Sequence, residues 1–191
     1  MGNQWGCERY DGDTWQDLQV LAVDGALLRT PDTPELREHF GSGNTATERQ
    51  TPFPMLRLVA LMNVRTHLIL DAQLSPYRRS EMRLADGFVQ QIPNHSVTLF
   101  DKGFWSADLL LGLAAAGEHR HWLIPARQGL VSEEVARYGK GDRLLRMKVS
   151  PQARTRNPSL PTHWDVREVS YAVKGKSKTV LTSLPAATYS A

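Results

Sequence analysis

Ser96–Leu111, SVTLFDKGFWSADLLL, is the stretch whose reading decides the fold. It opens on an apolar run (Val97, Leu99, Phe100), turns at Lys102-Gly103 and leaves on a helix. Asp101 stands where the strand ends, the place where α/β sheets present side chains for chemistry. Gly103 allows a sharp turn, Ser106 predicts an N-cap for a helix from Ala107, and Asp108 supplies its acidic first turn.

Leu18–Thr30, LQVLAVDGALLRT, repeats the pattern: an apolar strand interrupted by Asp24, with Gly25 next. A carboxylate inside such a run is costly unless it is paired, protonated or bound to a cation. One such acid reads as a strand-end aspartate capping an Asp-Gly turn. Two, each followed closely by glycine, point to carboxylates meeting at adjacent strand ends and holding a divalent metal.

Three segments carry a family resemblance: AVDGALLRTPDTPE, PMLRLVALMNVRTHLILDAQLSPYRRSE and TLFDKGFWS, in that order. Together they resemble the DDE transposases of the bacterial insertion-sequence four family. The first motif is matched by the Val-Asp-Gly run with Leu28, Arg29, Pro31 and Asp32. The second is matched by Asp101, Lys102, Gly103, Phe104, Trp105 and Ser106, with lysine at 102 where arginine is commoner. The resemblance runs from about Trp15 to the end of the chain.

Length fits one domain, or one domain with an insertion. The 191 residues are 41% hydrophobic, enough for a sizeable core, and the net charge of +3 permits a polyanionic partner without requiring one. One cysteine, Cys7, excludes an internal disulfide and fits a reducing cytoplasm. No apolar run is long enough to span a membrane, and the polar, Gly-rich Met1–Asp13 reads as a disordered leader or a remnant.

Along the chain, Leu18–Thr30 is the first strand, and Thr33-Pro34-Glu35 starts a short helix through Phe40. Gly41–Pro54 is a loop. Leu56–Val64 and Leu68–Leu74 form a hairpin around Arg65-Thr66, and a helix begins at Ser80-Glu81 and carries Met82, Leu84, Ala85, Phe88 and Val89 at helical spacing. After the Asp101 strand, a helix Ala107–Ala116 ends at Gly117, and His121–Pro125 is a fifth strand. The order β-β-β-α-β-α-β is mixed α/β; the resemblance specifies a ribonuclease-H-like sheet with flanking helices.

From Ala126 the character changes. Lys140, Arg143, Arg146, Lys148, Arg154 and Arg156 form a basic stretch broken by Pro151, Pro158 and Pro161, and Trp164–Tyr171 and Thr179–Leu184 read as strands. The basic run alone reads as a solvated hairpin face. The resemblance implies instead a β-rich insertion contacting DNA, and so a division into a leader (1–14), a catalytic core (15–125), an insertion (126–184) and a lead-in to a last helix (185–191).

The resemblance also makes Asp24 and Asp101 the first two catalytic acids and the ligands of Mg²⁺ or Mn²⁺, hard cations that take oxygen donors. Two such ions, about 3.5–4 Å apart, activate a water or 3′-hydroxyl and stabilise the leaving oxygen. Lys102, Trp105, Arg143, Arg146, Lys148, Arg154 and Arg156 are the candidate DNA contacts; Trp105 either stacks on a base or fills the groove beside the site. Asp71, Asp86, Asp108 and Asp142 read as strand-end, helical, capping and turn residues, and the six histidines show no ligand spacing. The family's third carboxylate belongs to a helix after the insertion, within a Tyr, Arg, Glu and Lys signature. Here the sequence stops at Ala191, with no Arg or Glu after Tyr189.

The expectation is therefore a transposase fragment with two acids of three, truncated before the last catalytic helix and inactive alone. It would act on transposon ends and target DNA, away from membranes, with room for a homodimer in the intact enzyme. Two alternatives stay open: a metal-dependent nuclease of the same fold that recruits Glu133 or Glu134, and a non-catalytic DNA-binding remnant.

Overall fold

A computed structural model describes residues 14–41 and 53–191. The expected leader Met1–Asp13, with Cys7, and most of the Gly41–Pro54 loop lie outside the described residues. Thr14, assigned to the leader from sequence, already pairs in a strand.

The strands are β1 (Thr14–Trp15), β2 (Leu18–Arg29), β3 (Met55–Asn63), β4 (Ile69–Pro76), β5 (Ser96–Phe100), β6 (Arg120–Pro125), β7 (Ser132–Gly139), β8 (Asp142–Lys148), β9 (His163–Val173) and β10 (Lys176–Thr182). The helices are α1 (Pro34–Phe40), α2 (Glu81–Ala85), α3 (Ala107–Ala115) and α4 (Pro151–Arg156), with single 3₁₀ turns at Asp86–Phe88 and Lys102–Phe104. All strands join one sheet in the order β4-β3-β2-β5-β6-β10-β9-β8-β7, with β1 beside β2.

Among the described residues, only the β2–β5 and β5–β6 pairings are parallel. The order β4-β3-β2-β5-β6, with an antiparallel hairpin on one side and two crossovers on the other, is the ribonuclease-H-like arrangement expected. β10 then pairs antiparallel with β6, through Val180–Pro125, Leu181–Ile124 and Thr182–Leu123. The segment after Ala126 therefore continues the same sheet.

Local sequence chemistry sets most boundaries. Thr33, Ser80, Ser106 and Ser150 each accept a hydrogen bond from the backbone N–H three residues on, capping α1 to α4. The Asn63 side chain accepts from the N–H groups of Arg65 and Thr66 and shapes the β3–β4 turn. Three details differ from expectation. α2 is cut to one turn and passes into a 3₁₀ turn at Asp86-Gly87, where glycine weakens the helix. Pro151, read as a breaker, instead starts α4, where its fixed φ suits the first turn. Gly117 follows α3 for space: a Cβ there would collide with Asn94 and Arg120.

The main core lies on the helix-bearing face, where Leu21, Val23, Val59 and Phe100 meet Phe88, Leu110 and Leu113. It continues through Trp122 to Leu145, Met147, Trp164 and Val166. A smaller cluster, Leu18, Val97, Leu184 and Tyr189, with Val20 and Leu123 packed against it, includes side chains that alternation along β2 and β5 puts on the opposite face.

Candidate active site and basic groove

β2 and β5 run parallel, and their last paired residues are Val23 and Phe100. The next residue on each is an acid, so Asp24 and Asp101 stand at matching positions on neighbouring central strands. Alternation puts both on one face, opposite Val23 and Phe100, whose side chains enter the main core. Asp24 does not end its strand: β2 continues to Arg29, paired with β3 alone.

Both carboxylates are exposed and held by local backbone donors. The Gly25 N–H donates to Asp24 Oδ1 at 2.8 Å. Asp101 caps the following 3₁₀ turn, accepting from the Gly103 N–H at 3.4 Å. Two exposed carboxylates side by side match the oxygen chemistry that Mg²⁺ and Mn²⁺ take, so the donor set fits such an ion. Among the described residues no group of three or more His, Cys, Asp and Glu is placed to hold a metal. Glu133 and Glu134 sit on β7, separated from β5 in the sheet by β6, β10, β9 and β8. Glu134 is engaged with Arg137 and Arg143 at 2.7 and 3.3 Å.

Beyond Asp101 the chain enters a groove of about 1270 Å³ between α2 with its 3₁₀ turn on one side and β8 with α4 on the other. Arg79, Arg83, Arg146, Lys148 and Arg156 line it. Trp105 lines it too, 5.2 Å from the Trp164 ring and 6.3 Å from Trp122. Three indoles thus tie the Asp101 loop to β6 and β9.

The basic stretch divides by its pairing. Arg143 donates to Glu168 at 2.7 Å and to Glu134 at 3.3 Å, and Arg146 grips both oxygens of Asp165 at 2.8 Å. Those hydrogen bonds raise both arginine pKa values and lower that of Asp165, while Glu134 is lowered first by its bond from Arg137 and then by Arg143. Lys102, Lys148, Arg154 and Arg156 are exposed, Arg154 and Arg156 on α4.

Sequence reasoning missed Arg79 and Arg83, whose place in the groove depends on β8 and α4, over sixty residues later, forming its facing wall. It also read Asp142 as a turn residue. Asp142 is buried at the start of β8 against Arg167, a residue with no local signal in the sequence. The groove holds acids as well: burial, then the charge of Asp108, pushes the Asp86 carboxyl above its ordinary value.

The family model described as "Transposase DDE domain" matches residues 15–191. Putative transposase InsZ of Escherichia coli strain K12 is 54% identical over 130 residues, which is 68% of this chain and 44% of that protein. Transposase InsG for insertion sequence element IS4, from the same strain, is 40% identical over 174 residues, 89% of this chain and 38% of that protein. The chain thus spans less than half the length of either relative. A piggyBac transposase synaptic complex with hairpin DNA aligns over 87% of this chain and 33% of that one, at 12% identity and a TM-score of 0.46. With nearly its whole described length inside the family model, and with both acidic motifs in place, the chain belongs to the DDE transposase family, in the branch that resembles insertion sequence four.

Proposed function

We propose that this chain supplies the first two acids and a DNA-binding groove of a transposase that cleaves and transfers DNA strands during transposition. The observation carrying the reading is the matched register of Asp24 and Asp101 at the point where β2 and β5 stop pairing. Residues 15–125 make up the catalytic core, 126–184 the inserted segment and 185–191 the lead-in to a last catalytic helix.

Asp24 and Asp101 would hold Mg²⁺ or Mn²⁺. When bound, such ions activate the attacking oxygen and stabilise the leaving one. The protein's own part is positional: the Gly25 and Gly103 N–H groups fix the two carboxylates on a strand pair that the core keeps rigid. DNA follows the basic surface beyond Asp101, its phosphates met by Lys148 and Arg156 in the groove and by Lys102 and Arg154, which are exposed outside its lining. Arg143 and Arg146 contribute field through ion pairs already formed, and Trp105 forms the apolar wall. Phosphate contacts set affinity and orientation without reading sequence.

The nuclease alternative rested on Glu133 or Glu134 reaching the pair. Against it stand the place of both residues on β7, at the far edge of the sheet from β2 and β5, and the ion pairs of Glu134 with Arg137 and Arg143. The test is filter binding to duplex DNA at several salt concentrations beside a cleavage assay in Mn²⁺. Salt-sensitive, sequence-independent binding that survives Asp24→Ala and Asp101→Ala supports the reading, as does absence of strand transfer by the chain alone. Salt-independent binding overturns the groove's role, and Asp24-dependent cleavage by this chain alone overturns the need for a further acid.

A further inference from the structure

Gly25 has two neighbours of consequence. Its N–H holds the Asp24 carboxylate at 2.8 Å, and on the other side of the strand it faces the side chain of Glu81, the first residue of α2. A Cβ at position 25 would lie 2.9 Å from Glu81 Cδ and 3.1 Å from Oε1, so the Glu81 side chain would have to move to admit it. The Glu81 carboxylate thus rests close against the Gly25 backbone.

That carboxylate is fixed in turn. Arg57 of β3 donates through Nη1 to Glu81 Oε1, reaches the Tyr77 carbonyl at 3.5 Å through Nη2, and sets its guanidinium 5.7 Å from the centre of the Tyr77 ring. The Arg57 side chain is 15% exposed, and its Nε is buried with no hydrogen-bond partner. Glu81 is the carboxylate that compensates this buried cation. Arg57 and Gly25 occupy the helix-bearing face, since Gly25 pairs with the core residue Val59 and Arg57 lies two positions from it.

We propose that Glu81 is a positioning residue for Asp24: clamped by Arg57, it presses on the backbone of Gly25 from behind the sheet and so fixes the N–H that aims the Asp24 carboxylate. The inference rests on the reading of Asp24 as a metal-holding acid. Glu81 does not itself join Asp24 and Asp101 in a ligand cluster. Its role resembles that of the outer hydrogen-bond partners of metal ligands, whose loss typically weakens metal affinity by about 10–100-fold.

The test is Mn²⁺ binding by the whole chain, followed by water-proton relaxation, with near-ultraviolet circular dichroism to confirm folding. Asp24→Asn establishes whether the signal comes from the proposed site. Glu81→Gln keeps the shape and removes the charge that holds Arg57; Gly25→Ala keeps Glu81 and forces it away. Each is expected to weaken Mn²⁺ binding by about 10-fold, and the double variant to be no weaker than the worse single one, because both act through one contact. Glu81→Gln binding Mn²⁺ like the unaltered chain, while Asp24→Asn does not, overturns the inference and leaves the site standing. Additive losses overturn it too. Asp24→Asn binding Mn²⁺ undiminished overturns the site itself, and the inference with it.

Discussion

Arg167 is buried against Asp142, donating from Nε at 2.8 Å and from Nη2 at 2.7 Å, while its Nη1 reaches the carbonyls of Leu184 and Tyr189. One guanidinium therefore ties β9 to β8 and to the chain's last turn. Removing one member of a buried pair leaves the other charge uncompensated, at a cost of about 3–5 kcal/mol. Arg167→Met is expected to lose that much in urea unfolding. Asp142→Leu with Arg167→Met together should cost less than Arg167→Met alone, since no lone charge remains.

His121 gives a pH dependence of defined sign. Burial, and next the charge of His119, holds its pKa below the ordinary value of 6.5, and its Nε2 is buried without a hydrogen-bond partner. The unfolded chain therefore takes up the proton first as pH falls. Stability from neutral His121 is fully present above about pH 6.5 and is lost as pH drops toward the lower folded pKa. Melting temperatures measured from pH 8 to pH 5 should fall, and His121→Gln should flatten that slope.

Asp86 has the opposite sense. Burial raises its pKa above the ordinary 3.8, with the Asp108 charge adding to the shift and Arg83 opposing it. The folded chain keeps this proton longer than the unfolded one, so the contribution is present at low pH and lost as pH rises through the raised pKa. Asp86→Asn is expected to melt higher than the unaltered chain at pH 7, and the gain should shrink toward pH 4.

DNA affinity should divide the cations by their pairing. Lys148→Ala and Arg156→Ala each remove an exposed groove cation and should reduce the slope of log affinity against log salt by about 0.9 per lost phosphate contact. Arg146→Ala also frees Asp165, so its effect on affinity should exceed its effect on the slope. Filter binding across a salt series separates the two.

The central fold was legible because its signals are local. Thr33, Ser80 and Ser106 announce their helices within three residues, and Asp24 within one apolar strand and Asp101 at the end of another stand out from the Leu, Val and Phe around them. β7 and β8 were not legible. Their alternation is masked by Arg and Glu side chains that pair across strands, as Arg143 does with Glu134 and Glu168, rather than by apolar residues. The Asp142–Arg167 pair and the groove depend on contacts between residues far apart in sequence, and no window of neighbouring residues contains them.

The junction of β6 with β10 has a kinetic consequence. The Thr182 hydroxyl donates to the Trp122 carbonyl across sixty residues, and the β6 edge is paired only when β10 arrives. Everything from Ala126 to Gly175 must be made before that edge closes, and loops of this length close more slowly than hairpins. During synthesis, β6 is thus an open template, and an unpaired edge invites pairing with other chains. The β9–β10 hairpin and the β8–β9 pairing join strands close in sequence, so the closing strand has partners of its own apart from β6.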